Sequence, residues 1–100
     1  MAKRKIEIFL KVSAERQITA IAVYIEQKGY PFTAEKFAGK LYQFAESLAT
    51  APFGNPLCRN EKLAAHGYRC AVFQKWIFIY KVNKQRLTIY RIIHGSRMAS

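Results

Sequence analysis

The stretch WIFIYKVNKQRLTIYRIIH, residues 76–94, contains two runs of aromatic and β-branched residues separated by a short polar link. The first run, Trp76–Val82, is almost continuously hydrophobic, and Asn83-Lys84-Gln85 forms the link. The second run extends from Arg86 to His94 and alternates in residue type. Runs of this composition joined by a short polar turn are typical of a β-hairpin, so the stretch predicts two adjacent antiparallel strands.

The alternation in the second strand predicts which side chains share a face of the sheet, because successive residues of a strand point to opposite sides. One face would hold Leu87, Ile89, Arg91 and Ile93, and the other Arg86, Thr88, Tyr90, Ile92 and His94. Arg86, Tyr90 and His94 are therefore expected together, either as a working surface or simply as the solvated face of a sheet. Arg91 is expected beside the aliphatic residues, which leaves two alternatives for it: contact with a partner, or a structural ion pair with a residue such as Glu46 or Glu61.

The first half of the chain predicts a strand followed by a helix. Lys5–Leu10 alternates in hydrophobicity and is the predicted strand. Ser13 is a suitable N-cap for a helix that runs to about Lys28, where Gly29 can adopt the left-handed conformation that ends helices.

A second helix is predicted from its cap, its apolar stripe and its stop signals. Thr33 is the predicted N-cap, and Pro52 and Gly54 stop the helix. The stripe comprises Phe37, Leu41, Phe44 and Leu48. Because the link between the two helices is short, they should pack as an antiparallel hairpin.

From Asn55 onward the sequence predicts strands. The segments are Pro56–Arg59, Gly67–Phe73, Lys75–Val82 and Arg86–His94. Hairpin-length gaps make the last three an antiparallel meander. The predicted class is α+β, with a strand, an antiparallel helical hairpin and then a three- to four-stranded antiparallel sheet, in a single domain of residues 1–100.

The composition is strongly basic. Seventeen Lys and Arg face six acidic residues, all of them Glu, which gives a net charge of +11. Nine of the basic residues but only one Glu follow residue 56. This asymmetry predicts an anionic partner: nucleic acid, an acidic protein or a membrane surface. No apolar run reaches the roughly 18 residues that a membrane span requires, so we expect a cytoplasmic protein without membrane insertion.

The cysteine and histidine residues do not by themselves indicate a metal site or a catalytic site. Cys58 and Cys70 could form one disulfide, but they are expected as buried free thiols, as is usual in a reducing cytosol. Together with His66 and His94 they are not paired at the short spacing of a metal site, so neither a metal nor a cofactor is expected. A chain without Asp offers no Ser-His-Asp triad.

Phosphate chemistry requires fewer groups, because Lys and Arg can stabilise charge on phosphate oxygens while a hydroxyl or imidazole moves the proton. Residues of these types in the basic half are Arg69, Lys81, Arg86, Tyr90, His94 and Arg97.

Several segments together resemble the RelE/ParE superfamily of small bacterial toxins, the toxic halves of type II toxin–antitoxin modules. The segments are Ile21–Ile25, Gly29-Tyr30-Pro31, Leu48–Gly54, Gly67-Tyr68-Arg69, Ile79–Val82 and Ile89–Arg97. The resemblance covers nearly the whole chain. It rests on the order and spacing of the segments, because no single one is diagnostic.

This superfamily contains two activities on one fold, so the fold alone does not decide the function. RelE-like members are ribosome-dependent mRNA endonucleases, whereas ParE-like members inhibit DNA gyrase. In our alignment Ile77 stands where many of the nucleases have an arginine. The segment Arg91–Arg97 is similar to a ParE pattern of Arg, two aliphatic residues, His, Gly and Arg, although the Asp that usually follows is absent.

The resemblance therefore implies a ParE-like, plasmid-stabilising toxin that inhibits DNA gyrase by binding. It would be neutralised by a cognate acidic antitoxin, with which such toxins often form higher oligomers. The target-binding residues would be Arg69, Arg86, Tyr90, Arg91, His94 and Arg97. The alternative is a ribosome-dependent mRNA interferase with Arg69, Lys81 and His94 as catalytic residues. A third reading is an inactive relative that only binds.

Overall fold

The computed structural model describes residues 6–97, so that part of the predicted first strand, at Lys5, lies outside the described residues. The elements are β1 (Glu7–Leu10), α1 (Val12–Gln27), α2 (Pro31–Leu48), α3 (Glu61–Ala65), β2 (Arg69–Phe73), β3 (Trp76–Asn83), β4 (Arg86–His94) and a 3₁₀ turn (Gly95–Arg97). The α+β class predicted from the sequence is confirmed. The short helix α3 was not predicted.

The sheet has four strands in the order β1-β4-β3-β2. The meander β2-β3-β4 is antiparallel, as predicted, but β1 joins the edge beside β4 in parallel, with Glu7 opposite Arg86. The expected strand at Pro56–Arg59 is reduced to a single bridge between Leu57 and Arg69. None of the helices in residues 6–97 has the combination of length and apolarity needed to cross a membrane.

Both predicted helix caps are wrong, Ser13 by two residues and Thr33 by three. Helix α1 begins at Val12 after Lys11, and the Ser13 hydroxyl donates a hydrogen bond of 2.6 Å to the Tyr90 carbonyl oxygen instead of capping its own helix. Helix α2 begins at Pro31 rather than after Thr33. Proline suits the first helical position because its fixed φ is already helical and no amide hydrogen is needed there.

The helical hairpin packs against one face of the sheet, which we call the inner face. Fully buried residues from both layers form the core: Ile18, Leu41, Phe78, Tyr80, Leu87, Ile89 and Ile92. Phe44 of α2 contacts Phe78 of β3 edge-on, with ring centroids 4.9 Å apart. The opposite, outer face has no helical hairpin over it and is therefore where exposed functional groups can lie.

A β-bulge interrupts the pairing of β3 with β4. Ile79 is opposite Arg91 but Tyr80 is opposite Ile89, so Tyr90 is the extra residue. A bulge reverses the facing of all residues beyond it. Ile92 is consequently buried and Arg91 exposed, the reverse of the sequence prediction.

The bulge also removes the alternative of an ion pair of Arg91 with Glu46 or Glu61. Within residues 6–97 the only ion pair joins Arg86 Nε to Glu7 Oε1 at 3.0 Å. The parallel pairing of β1 with β4 makes this contact, because it aligns Glu7 with Arg86.

The two cysteines form a disulfide, and the expectation of free thiols is wrong. The bridge between Leu57 and Arg69 makes Cys58 and Cys70 close neighbours, with Cα atoms 4.9 Å apart. This distance is within the range that disulfides span. The sequence did not predict this disulfide, because the two cysteines are 12 residues apart. They are brought together only by the bridge between Leu57 and Arg69.

Candidate target-binding surface

The outer face of the sheet carries a basic and aromatic cluster. We call the set of Lys11, Tyr68, Lys81, Arg86 and Tyr90 the outer basic face. Tyr80 is fully buried on the inner side, so its neighbour Lys81 points outward, where it is paired with Thr88 of β4. Tyr90 lies on the same side, since its ring contacts that of Tyr68.

The central part of this face is a stack of two tyrosines and two lysines. The rings of Tyr68 and Tyr90 meet edge-to-face with centroids 5.1 Å apart and an interplanar angle of 89°. Lys81 Nζ lies 4.5 Å from the centroid of Tyr68, and Lys11 Nζ lies 5.4 Å from that of Tyr90. Both ammonium groups are thus close enough to be attracted by an aromatic face.

The cluster continues to the β3–β4 turn. Arg86 stacks over Phe9, with Cζ 5.5 Å from the ring centroid, and shares its ion pair with Glu7. Both side chains of that pair are more than half exposed, so it contributes little to stability. An open depression of about 670 Å³ runs from Lys84 in the turn to Tyr90. The depression is positively charged and accessible to solvent.

Arg69 lies apart from the outer basic face. It is opposite Tyr80 and thus on the inner side of β2. Its Nη1 donates a hydrogen bond of 2.6 Å to the Asn55 carbonyl oxygen, and its Cζ lies 5.0 Å from the Phe53 ring centroid. Arg69 therefore holds the segment after α2 against the sheet.

The hydroxyl of Tyr80 is buried and has no hydrogen-bond partner among the described residues. Burial raises the pKa of Tyr80, because the phenolate would lose its hydration, while the nearby Asn55 side chain and the positive charge of Arg69 act in the opposite direction. The Asn55 amide does not reach hydrogen-bonding geometry with the hydroxyl, so the group counts as unsatisfied.

His94 lies at the far end of β4, beside the indole of Trp76. The two rings are edge-to-face, 5.2 Å apart, and Trp76 packs against the core cluster. The Ser96 amide donates to His94 Nδ1 over 3.2 Å, and the Ser96 hydroxyl lies 2.8 Å from the same atom. Nδ1 is thus an acceptor, and a neutral ring carries its proton on Nε2. His94 does not share a face with Arg86 and Tyr90, as the alternation had suggested.

The structure thus divides the six predicted target-binding residues. Arg86 and Tyr90 lie together on the outer basic face. Arg91 is exposed beyond the bulge, and Arg97 is exposed in the 3₁₀ turn near His94. Arg69 lies on the inner side.

The alternative catalytic set of Arg69, Lys81 and His94 is more dispersed. Arg69 and Lys81 lie on opposite faces. His94 is opposite Trp76, four residues along β3 from Tyr80, which corresponds to roughly 13 Å at the usual rise of a strand.

Sequence reasoning did not select Lys11 and Tyr68. Tyr68 precedes Arg69 in a predicted strand, and alternation alone would have placed the two on opposite faces. Lys11 gave no local signal, because its contact with Tyr90 depends on the parallel pairing of β1 with β4. Among residues 6–97, no three His, Cys, Asp or Glu side chains are grouped so that they could hold a metal ion.

Solved structures that share this fold include two from toxin–antitoxin systems. The chromosomal ParDE toxin–antitoxin system from P. aeruginosa gives a TM-score of 0.76 at 14% identity, covering 90% of this chain and 96% of that one. The RelBE2 toxin–antitoxin complex from Mycobacterium tuberculosis gives a TM-score of 0.69 at 14% identity, covering 93% and 94%. The chain therefore shares its fold with proteins of these two toxin–antitoxin systems.

The sequence gives a more specific assignment than the fold does. Residues 8–99 match the family model for the ParE toxin of the type II toxin–antitoxin system parDE. The chain belongs to the ParE toxin family. A search of curated protein sequences gives no significant match.

Proposed function

We propose that this ParE-family chain inhibits DNA gyrase by binding to it rather than by cleaving a substrate. The observation that carries the proposal is the match to the ParE toxin model over residues 8–99. The RelE-like fold similarity at 14% identity concerns the backbone arrangement and does not favour a nuclease.

The geometry of the basic residues supports a binding role. Cleavage of a phosphodiester needs a base and cations that converge on one phosphate. Arg69 is bound to a backbone carbonyl on the inner side, while Lys81 lies over Tyr68 on the outer side. His94 contacts Trp76 at the other end of β4. Dispersed cations of this kind suit an extended anionic surface better than a single reacting group.

We further propose that a small acidic antitoxin neutralises the chain in the cytoplasm. The net charge of +11 favours a partner of opposite charge. Both similar structures come from systems in which a toxin is named together with an antitoxin, ParDE and RelBE2. A partly disordered acidic segment that orders on binding would fit a long, basic toxin surface.

Two assays on the purified chain separate gyrase inhibition from RNA cleavage. The chain is added to gyrase with relaxed plasmid, and separately to ribosomes translating a labelled message. We expect loss of supercoiling and accumulation of cleaved DNA complexes, with the message intact. Cleavage of the ribosome-bound message with undisturbed supercoiling would reverse the proposal in favour of an mRNA interferase. No effect in either assay would indicate an inactive, binding-only relative.

A further inference from the structure

The outer basic face combines positive charge with aromatic rings. We propose that this face, together with Lys84 of the adjoining β3–β4 turn, binds single-stranded polynucleotide directly, with Lys11, Lys81 and Lys84 at phosphates and Tyr68 and Tyr90 against bases. The inference concerns the chain alone and does not depend on gyrase being its target.

The charges on this face fit a phosphate backbone. The lining of the depression includes four cationic side chains, Lys11, Lys81, Lys84 and Arg86, and one carboxylate, that of Glu7. Because Glu7 already forms an ion pair with Arg86, the three lysines remain available to phosphates. Lysines near phosphates release condensed counterions, and this release drives binding without sequence preference.

The two tyrosines distinguish a single strand from other anionic partners. Bases stack on aromatic side chains only when they are not already stacked within a duplex. The carboxylates of an acidic peptide would use the lysines but would gain nothing from the rings. On this face, the Lys81 ammonium covers the Tyr68 ring at 4.5 Å. Movement of that ammonium onto a phosphate would expose the ring to a base, so the two contacts can form together.

The position of the cluster suits a flexible strand. Tyr68 and Tyr90 are both half-buried and lie on the sheet face that has no helical hairpin over it. The Ser13 hydroxyl holds the backbone of Tyr90 through its 2.6 Å hydrogen bond, and the ring packs edge-to-face against Tyr68, so this residue is restrained before any ligand arrives. Preorganised contacts reduce the entropy lost on binding.

Binding can be measured by the fluorescence anisotropy of short labelled oligonucleotides with the purified chain, in the absence of gyrase and ribosomes. We use single-stranded DNA, single-stranded RNA of the same sequence, and the DNA duplex. Both single strands should bind at least about tenfold more tightly than the duplex, in line with the usual size of stacking contributions. With three or four phosphate contacts, the logarithm of the affinity should fall with the logarithm of salt concentration with a slope of roughly 2 to 3.

Two kinds of variant test the two kinds of contact. Lys81→Ala/Lys84→Ala should weaken binding and reduce the salt slope by roughly 1.4. Tyr68→Leu and Tyr90→Leu should each weaken binding about fivefold or more while leaving the salt slope unchanged. The matched control is Lys36→Ala/Lys40→Ala, which removes the same charge from exposed positions of α2 and should change affinity less than twofold. Circular dichroism verifies folding. If the lysine double variant fails to fold, the exposed Lys84→Ala alone replaces it, and if one tyrosine variant fails to fold, the other tests the contact with bases.

Three results would overturn the proposal. The first is an equal loss of affinity in Lys81→Ala/Lys84→Ala and in Lys36→Ala/Lys40→Ala. Equal losses indicate that the charge attraction is not localised to the sheet. The second is duplex binding as tight as single-strand binding. The third is that a polyglutamate peptide displaces the labelled strand at the same concentration as an unlabelled oligonucleotide does. This result indicates an acidic protein ligand. Tighter binding of either DNA or RNA supports the proposal and identifies the sugar that is preferred. Gyrase inhibition that persists in the tyrosine variants leaves the proposed function intact whichever way the oligonucleotide result falls.

Discussion

At the scale of single residues, Arg91 shows how one inserted residue changes what a side chain can do. The bulge at Tyr90 turns Arg91 outward, so that it is exposed rather than paired in the core. Arg97 is likewise exposed at the end of the described chain. These two guanidinium groups are accessible without any rearrangement of the fold.

Replacing both arginines should therefore weaken target binding but not folding. We expect Arg91→Ala/Arg97→Ala to raise the concentration needed for half-inhibition of gyrase supercoiling about tenfold, because lost interfacial charge contacts each cost roughly a kilocalorie per mole or less at an exposed site. The control Arg16→Ala/Lys36→Ala removes two exposed cations from the helices. Equal loss of inhibition in both double variants would contradict a localised role for the arginines.

Tyr80 offers a second test at this scale, since its hydroxyl is buried without a hydrogen-bond partner among the described residues. An unsatisfied buried hydroxyl is unfavourable, so Tyr80→Phe should raise the free energy of unfolding by about 1 kcal/mol. Tyr80→Leu, which removes the ring, should lower it by about 2 kcal/mol or more. Urea unfolding monitored by circular dichroism measures both. A loss of stability in Tyr80→Phe would reveal a partner for the hydroxyl.

The raised pKa of Tyr80 adds a pH dependence to this comparison. Above the ordinary tyrosine value of 10.0, this side chain ionises more readily in the unfolded chain than in the folded one. Stability should therefore fall as the pH rises above this value. Tyr80→Phe should lose less stability than the wild type over that range, in parallel urea titrations. Identical pH profiles would show that Tyr80 ionises equally in both states.

At the scale of elements, Ser13 joins helix α1 to the bulged strand through its hydrogen bond to the Tyr90 carbonyl oxygen. Ser13→Ala should lower the free energy of unfolding by about 1 kcal/mol, the usual net value of such a bond. Thr19→Ala, at an exposed position of the same helix, is the control. Amide hydrogen exchange should show faster exchange around Tyr90 in Ser13→Ala only. Unchanged exchange there would mean that the bulge does not need the helix.

The elements also show what a sequence can predict. Strong local patterns identified α1, α2, β3 and β4, because hydrophobic period and turn residues act over short distances. The failures involve contacts between distant segments: the parallel pairing of β1, the bulge at Tyr90 and the single bridge of Leu57 with Arg69. The alternation of residue types does not reveal a bulge, because the extra residue is not marked by its type in the sequence.

The same limit applies to the candidate site. Its basic character was readable from composition, and Arg86 and Tyr90 were correctly expected on one face. Lys11 was not expected on this face, because its contact with Tyr90 joins β1 to β4, which are far apart in sequence. His94 was placed on the wrong face, because the bulge lies between it and Arg86.

At the scale of the whole molecule, the disulfide between Cys58 and Cys70 restrains the unfolded chain as well as the folded one. A closed loop with a sequence separation of 12 residues reduces the entropy of the unfolded chain, and loops of this size typically contribute about 3 kcal/mol to stability. Reduction with dithiothreitol should therefore lower the urea midpoint of the wild type. Cys58→Ser/Cys70→Ser should be destabilised to a similar extent and insensitive to the reductant. Alkylation of the denatured chain followed by mass measurement gives the fraction oxidised before each experiment. If a fully oxidised chain had the same urea midpoint as the reduced one, the disulfide would contribute nothing to holding the loop before β2 against the sheet.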